Sequence, residues 1–342
     1  STGPIEISSI QTAINKATGG ETILVAPGIY TEQVTIDKSV NLVGAGIDQS
    51  VIKAPETLPV ASDKLSNIVM IKGAGVIAEL TGFTVTGPGP SSCGSIGTGI
   101  FVYDDANANI HHNKVDSIRD AGTTISGCEN GIAIVVGRNK YSTKATATID
   151  NNLIVGYQKG GIVIDNADSS AIITNNIITG AGTIDTTAQN GIQISRGASA
   201  TLTNNTITGN SFHNETNYWN WGASGLLIMT TGNVTLGGGN TISNNDQNIY
   251  ISGDGLVTFG TETIGPSSAP VDFGYDVIND ATSGKDLSHV VFPGATDNYA
   301  IEQRVWHMID ENTLGMVDWG QGSDVYAYDT ATLEAALLNA PA

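Results

Sequence analysis

The sequence predicts an all-β fold in which short coils stack into a solenoid, closed by a helix at one end and a small α/β appendage at the other. Three observations predict it. The pattern Ala-x-(Ile/Leu)-x-x-Asn-x-(Ile/Val) returns at intervals along the chain. A second pattern, a short alternating strand opening on Gly-Ile, returns between its copies. At both ends helical spacing replaces the repeats.

In chain order, "ISSIQTAINKAT" (7–18) places Ile7, Ile10, Ala13, Ile14 and Ala17 on one helical face, and Gly19-Gly20 stops the run. A short helix there plugs the open end of a stack, which otherwise exposes core and unpaired strand edge. The cap is assigned to 1–21 and the coils to 22–275. Within the coils, "ANIHHNKV" (108–115), "ATIDNNLI" (147–154), "AIITNNII" (171–178) and "ATLTNNTI" (200–207) obey the first pattern. "VTLGGGNTI" (234–242) obeys it with one extra residue, and two earlier stretches put Ala45 and Phe83 in the Asn position. The second pattern starts at Gly99, Gly131, Gly161, Gly191, Gly225 and Asn248. Its inward pairs are Ile100/Val102, Ile132/Ile134, Ile162/Ile164, Ile192/Ile194, Leu226/Ile228 and Ile249/Ile251.

One such coil cannot bury its own apolar face, whereas stacked coils can, about 4.8 Å apart as in any sheet. Asn113, Asn152, Asn176, Asn205 and Asn240 then form a ladder that shares amide hydrogen bonds between coils. One Asn alone would only mark a turn. The register with flanking aliphatics argues for the ladder. These repeats resemble the right-handed parallel β-helix of the pectin-lyase-like superfamily over roughly residues 22–265. The resemblance implies architecture and leaves activity open, because one fold hosts many functions.

The pattern Gly28-x-Tyr30-x-Glu32-x-Val34 looks like the first coil of pectin methylesterases and of many unrelated β-helix proteins. The chain has no later counterpart of the esterase's catalytic segments, so the pattern is read as structural. The C-terminal appendage is assigned to 276–342. "NYAIEQRVWHMID" (298–310) reads as a helix with Ile301, Val305, Met308 and Ile309 on one side. "TLGMVDWG" and "DVYAYD" read as extended pieces and "TATLEAALLNA" as a last helix. The stretch 300–319 resembles the segment C-terminal to β-helix regions in large bacterial cell-surface proteins, which implies a module of a longer multidomain chain. Trp306 and Trp319 are read there as packing residues.

A net charge of −19 disfavours nucleic acid and anionic membranes as partners. No apolar run is long enough to cross a bilayer. Acidic groups suit Ca²⁺, the one cofactor expected, and the oxygen-rich turns "DDANAN" and "DNADSS" offer Asp104, Asp105, Asp165 and Asp168 as ligands. His111 and His112 are adjacent, with no third metal ligand evident. Cys93 and Cys128 fall in equivalent loops of adjacent coils and are expected to form a disulfide in an extracellular setting.

Four loops, 86–98, 116–130, 179–190 and 208–224, precede Gly-Ile strands and should cluster on one side. The last carries "HNETNYWNWGASG", with Tyr218, Trp219 and Trp221 in a chain that is only 6% aromatic. Flat rings stack on sugars, so these three residues are the candidate carbohydrate platform. The alternative is a loop folded over the outward face of its own sheet, which holds Phe101, Tyr103, Leu227, Met229 and Tyr250. Asp116, Asp120, Asp185 and Glu215 lie nearby. Arg196, Asp165, Arg119 and His213 are the catalytic candidates. By analogy with lyases of the resembled superfamily, an arginine removes the C5 proton of a uronate whose carboxylate a cation neutralises. A glycosidase would instead need two carboxylates at a set distance. The competing reading of Asp165 and Arg196 is a surface ion pair between coils. Function is therefore expected to be that of a secreted or cell-surface module with a structural, adhesive or polysaccharide-binding role. The alternative is a polysaccharide lyase or glycoside hydrolase.

Overall fold

The computed structural model describes residues 8–58, 66–91, 93–122, 125–216, 222–229, 232–269, 274–307, 317–318 and 333. The chain forms two compact units, Ser1–Ile172 and Ile173–Ala342. Each is built from three parallel sheets.

In the first unit the first sheet holds Thr22–Val25, Asn41–Gly44, Ile77–Thr81, Asn107–His111 and Thr146–Asp150. The second holds Gly28–Thr31, Ser50–Lys53, Phe83–Thr86, Lys114–Asp116 and Leu153–Val155. The third holds Val34–Ile36, Asn67–Lys72, Thr98–Tyr103, Ile132–Val136 and Gly160–Asp165. Like residues stack on like. Val34, Val69, Ile100, Ile134 and Ile162 form one inward column, and Ile36, Ile71, Val102, Val136 and Ile164 a second. All ten side chains are fully buried, and each such burial stabilises by about 1.5–3 kcal/mol.

The register corrects one expected pair. Ile134 and Val136, not Ile132 and Ile134, align with Ile100 and Val102. Ile132, expected inward, instead pairs with Thr98 and joins the outward cluster of Met70, Phe101 and Val135. The apolar run to Val136 permits this register.

The second unit has the same plan. Its first sheet holds Ser199–Thr203, Asn233–Leu236 and Leu256–Phe259. Its second holds Ile177–Ile184, Thr206–Phe212, Thr241–Ser243 and Thr263–Ile264, and its third Asn190–Ser195, Ser224–Met229, Gln247–Ser252, Tyr275–Asp280 and Val305–His307. The third sheet thus runs past residue 275. The expected helix over 298–310 is one turn, Asn298–Glu302, and Val305–His307 is a strand paired with Val277–Asn279. The β-branched Val305 lies in register with Val277 and is buried, as a coil strand requires. Inward positions turn polar here: Asn279 and His307 follow Ile194, Ile228 and Ile251 in one column. Trp306 lies in register with Ile278 and is half-buried, as a packing residue would be. Trp319 and the last two expected elements, apart from Leu333, lie outside the described residues.

The Asn ladder is present in both units. In the first, Asn152 Oδ1 accepts from Asn113 N (3.0 Å) and Nδ2 (3.2 Å). Phe83 occupies the position before it and donates its N–H to Asn113 Oδ1 (3.0 Å). In the second, Asn176 donates to Asn205, Asn205 to Asn240, and Asn240 Nδ2 to Glu262 Oε2 (2.9 Å). Glu262 ends this run as a pure acceptor, also taking N–H bonds from Gly238 and Asn240. A second ladder, Asn210–Asn245–Asn248–Asp276, lies beside it. Its first two members stand five residues after Asn205 and Asn240, a spacing visible in the sequence.

The N-terminal cap explains the Gly28-x-Tyr30-x-Glu32 pattern. The helix is Ile10–Lys16, with Ser9 as N-cap and Ile10 and Ile14 buried. Glu32 accepts from Ile10 N (2.9 Å), Gln11 N (3.0 Å) and Ser9 Oγ (2.8 Å). Lys38 Nζ donates to three carbonyls at the other end, Ile14, Asn15 and Ala17. Each charge opposes the helix dipole at its terminus. Glu32→Ala is expected to lower stability by about 2 kcal/mol, read as a shifted urea midpoint. An unchanged midpoint would remove this role from Glu32.

Candidate functional site

In the first unit the outward face of the third sheet is not open to water. Phe101 and Tyr103 are each 1% exposed. They stack with ring centroids 4.4 Å apart and cluster with Met70, Val135 and Val163. This supports packing for that part of the face. In the second unit Leu227, Met229 and Tyr250 are half-buried.

Cys93 and Cys128 are joined in a disulfide, with Cα atoms 5.5 Å apart. It ties together the two loops of the first unit. Beneath it lies Asp120, 1% exposed. Its carboxylate accepts from Ser95 N and Oγ, Ser126 Oγ, Asn130 Nδ2 and Gln158 Nε2, all at 3.0–3.1 Å. Burial alone would push this carboxyl up, but the donors, led by Gln158, hold it below the usual value of 3.8. It is therefore a fixed anion that anchors loops and holds no proton to give. Because the folded-state pKa lies below the unfolded one, its stabilisation is present above about pH 4 and lost as pH falls through the folded value. Asp120→Asn is expected to lower the unfolding midpoint at pH 7, by a margin that narrows as pH falls below about 4. A margin that stays constant as the pH is lowered would contradict this. Arg119 Nη1 donates to the carbonyls of Gly122 and Asp120, so its guanidinium braces the same loop.

The four carboxylates expected to hold Ca²⁺ lie on neighbouring turns of the first unit. Lys144 Nζ sits 3.9 Å from Asp105 and 3.3 Å from Asp168. Thr143 Oγ1 donates to Asp104 Oδ1 (2.9 Å). Asp165 is buried, accepts from Asn139 N (3.0 Å) and faces Arg138 Nη1 at 3.9 Å. The chain's own cations thus stand among these carboxylates. Among the described residues, the one group of three His, Cys, Asp or Glu donors within 4.8 Å is Cys93, Asp120 and Cys128, already joined by the disulfide. Asp104, Asp165, Arg138 and Arg196 each end a strand at a like position in the sequence; within the first unit Arg138, which precedes the 3₁₀ turn Asn139–Tyr141, is the cation facing Asp165. Arg196 belongs to the second unit, where it is exposed in the left-handed region (φ 55°) and donates its N–H to Met229 O.

The second unit carries the loop with the aromatic run. Two of the expected loops begin as strand. After a bulge between Thr179 and Gly182, Gly182–Ile184 pairs with Asn210–Phe212 beyond the wall of the second sheet. This ledge leads directly into 213–222. Asp246 Oδ2 accepts from Phe212 N (2.7 Å) and Ala223 N (3.1 Å), so one buried oxygen holds both feet of the loop. Burial pushes the Asp246 carboxyl above its usual value, against the pull of its donors. On the loop's first turn His213 N donates to Ile184 O, and Asn214 Nδ2 to Asp185 O (3.0 Å). Thr216 N and Oγ1 close on Asn214 Oδ1. His213 Nε2 lies 3.9 Å from the exposed Glu215 carboxylate. Tyr218, Trp219 and Trp221 lie outside the described residues. Sequence reasoning missed Asp246, which stands 23 residues beyond Ala223 in a stretch without any motif.

Residues 98–264 match the family model described as the right handed beta helix region. The chain carries a right-handed parallel β-helix. Solved structures share this architecture at low identity. A tailspike protein of the Escherichia coli O157:H7 bacteriophage CAB120 is 14% identical, with a TM-score of 0.54, over 83% of this chain and 36% of the phage chain. The Dettilon tailspike protein is 13% identical, with a TM-score of 0.45, over 89% of this chain and 64% of its own. An alginate lyase from Paenibacillus sp. str. FPU-7 is 14% identical, with a TM-score of 0.46, over 90% of this chain and 95% of its own. The β-helix chain therefore spans less than two thirds of either tailspike. No curated protein matches it.

Proposed function

We propose that this β-helix is an extracellular polysaccharide-binding module whose binding surface is the 213–222 loop on its ledge in the second unit. One observation carries the reading: Asp246 fixes both feet of a loop rich in tryptophan, tyrosine and amides. Fixed feet lower the ordering cost of binding through the segment they bound. Rings supply stacking faces, while Asn214, Glu215 and Asn220 supply hydroxyl partners. The disulfide between loops supports an oxidising, extracellular setting.

The non-catalytic form of this reading rests on the candidate acids and bases. Of the four, Asp165 is buried and engaged and Arg119 is spent on carbonyls, while Arg196 is exposed and His213 stands beside Glu215 on the loop itself. The test is affinity electrophoresis of the full chain in gels containing single polysaccharides. Trp219→Ala and Trp221→Ala are each expected to weaken retention by about 10-fold or more, as interfacial aromatic anchors do. Retention that survives both substitutions would remove the loop from the binding surface.

A further inference from the structure

The first sheet of the first unit presents an outward polar face in which two imidazoles meet. His111 Nδ1 lies 2.9 Å from His112 Nδ1, with the rings at 84°. Two ring nitrogens this close must share either a proton or a metal ion, because two lone pairs would repel.

The surroundings prepare one of them for a metal. His111 Nε2 is 2.7 Å from Glu79 Oε1. A carboxylate only accepts, so the proton of His111 sits on Nε2 and its Nδ1 carries a lone pair. Ligating histidines commonly have this arrangement, with the far N–H given to a carboxylate that fixes the tautomer. Thr81 Oγ1 stands 3.2 Å from the same Nδ1 and offers an oxygen. The distance between the nitrogens fits as well. Two nitrogens bound at about 2.0 Å and at right angles to one ion lie about 2.9 Å apart. Right-angled nitrogen and oxygen donors are the preference of Cu²⁺ and Ni²⁺.

The placement is set by the fold. Thr81 and His111 are register partners on adjacent strands, and Glu79 lies two residues before Thr81 on the same face. His112 comes next, in the left-handed region (φ 53°), where its N–H bonds Asp150 O (3.2 Å). That turn swings its ring back toward His111 instead of onto the opposite face.

We propose that His111 Nδ1, His112 Nδ1 and Thr81 Oγ1 form a surface site for Cu²⁺ or Ni²⁺, with Glu79 as the positioning residue behind His111. Metal binding requires His112 to carry its proton on Nε2 instead of Nδ1, a change of tautomer exchanged through solvent with no net proton release, and no redox change is involved. The test is calorimetric titration of the full chain with CuCl₂ in a non-coordinating buffer, together with electron paramagnetic resonance of the bound ion. The expected result is one site per chain with nitrogen hyperfine structure, abolished by His112→Ala and by His111→Ala. Glu79→Gln is expected to weaken binding by about 10–100-fold without removing it. Unchanged affinity in His112→Ala, or no saturable binding by the parent chain, would overturn the proposal. The side chains concerned are on the surface, and circular dichroism of each variant checks that the fold is kept.

Discussion

Asn205→Leu should lower the thermal midpoint by about 8 °C, taking roughly 4 kcal/mol at about 2 °C per kcal/mol for a chain of this size. Leucine has the same branching and more apolar surface, so a simple count of burial predicts gain. The hydrogen bonds predict loss. Asn205 Oδ1 accepts from Asn176 N and Nδ2, both at 3.0 Å. Its Nδ2 donates to Ile173 O (2.8 Å) and Asn240 Oδ1 (2.9 Å). Leucine leaves these buried groups without partners where water cannot reach them. Asn205→Asp separates chemistry from shape. It is nearly isosteric but cannot donate, and it would face Asn240 Oδ1, so it should be about as damaging. If Asp or Leu is tolerated, the asparagine only marks a turn.

Asp246→Ala has the second large effect, and it is local. The substitution removes the acceptor shared by Phe212 N and Ala223 N, at a cost of about 2–4 kcal/mol. Amide hydrogen exchange over 208–224 should speed up while the ladder strands stay protected. Polysaccharide retention should fall about 10-fold, because the loop loses its preset position. Exchange unchanged across 208–224 would show that Asp246 is not the clamp. Its pH dependence runs opposite to that of Asp120. The folded pKa of Asp246 is raised, so its share of stability declines as pH rises from about 4 through the folded value.

The architecture was legible because stacking repeats itself. Each coil must place an aliphatic over an aliphatic and an Asn over an Asn, and five ladder residues recorded that constraint. What repeats only once was not legible. Asp246 and Glu262 each satisfy one particular set of donors, set by neighbours distant in sequence. Val305–His307 read as helix because Ile301, Val305 and Met308 fall at helical spacing, but Val305 packs in the column under Val277. The reach of Lys144 between Asp105 and Asp168 is likewise set by neighbours distant in sequence.

The most direct measurement is retention of the full chain on a panel of extracellular polysaccharides, with unsaturated and reducing ends followed in the same samples. The binding reading predicts saturable retention on at least one polymer, lost in Trp221→Ala, and no new ends. Release of ends from any polymer would contradict the non-catalytic reading. Absence of retention across the panel would contradict polysaccharide binding itself.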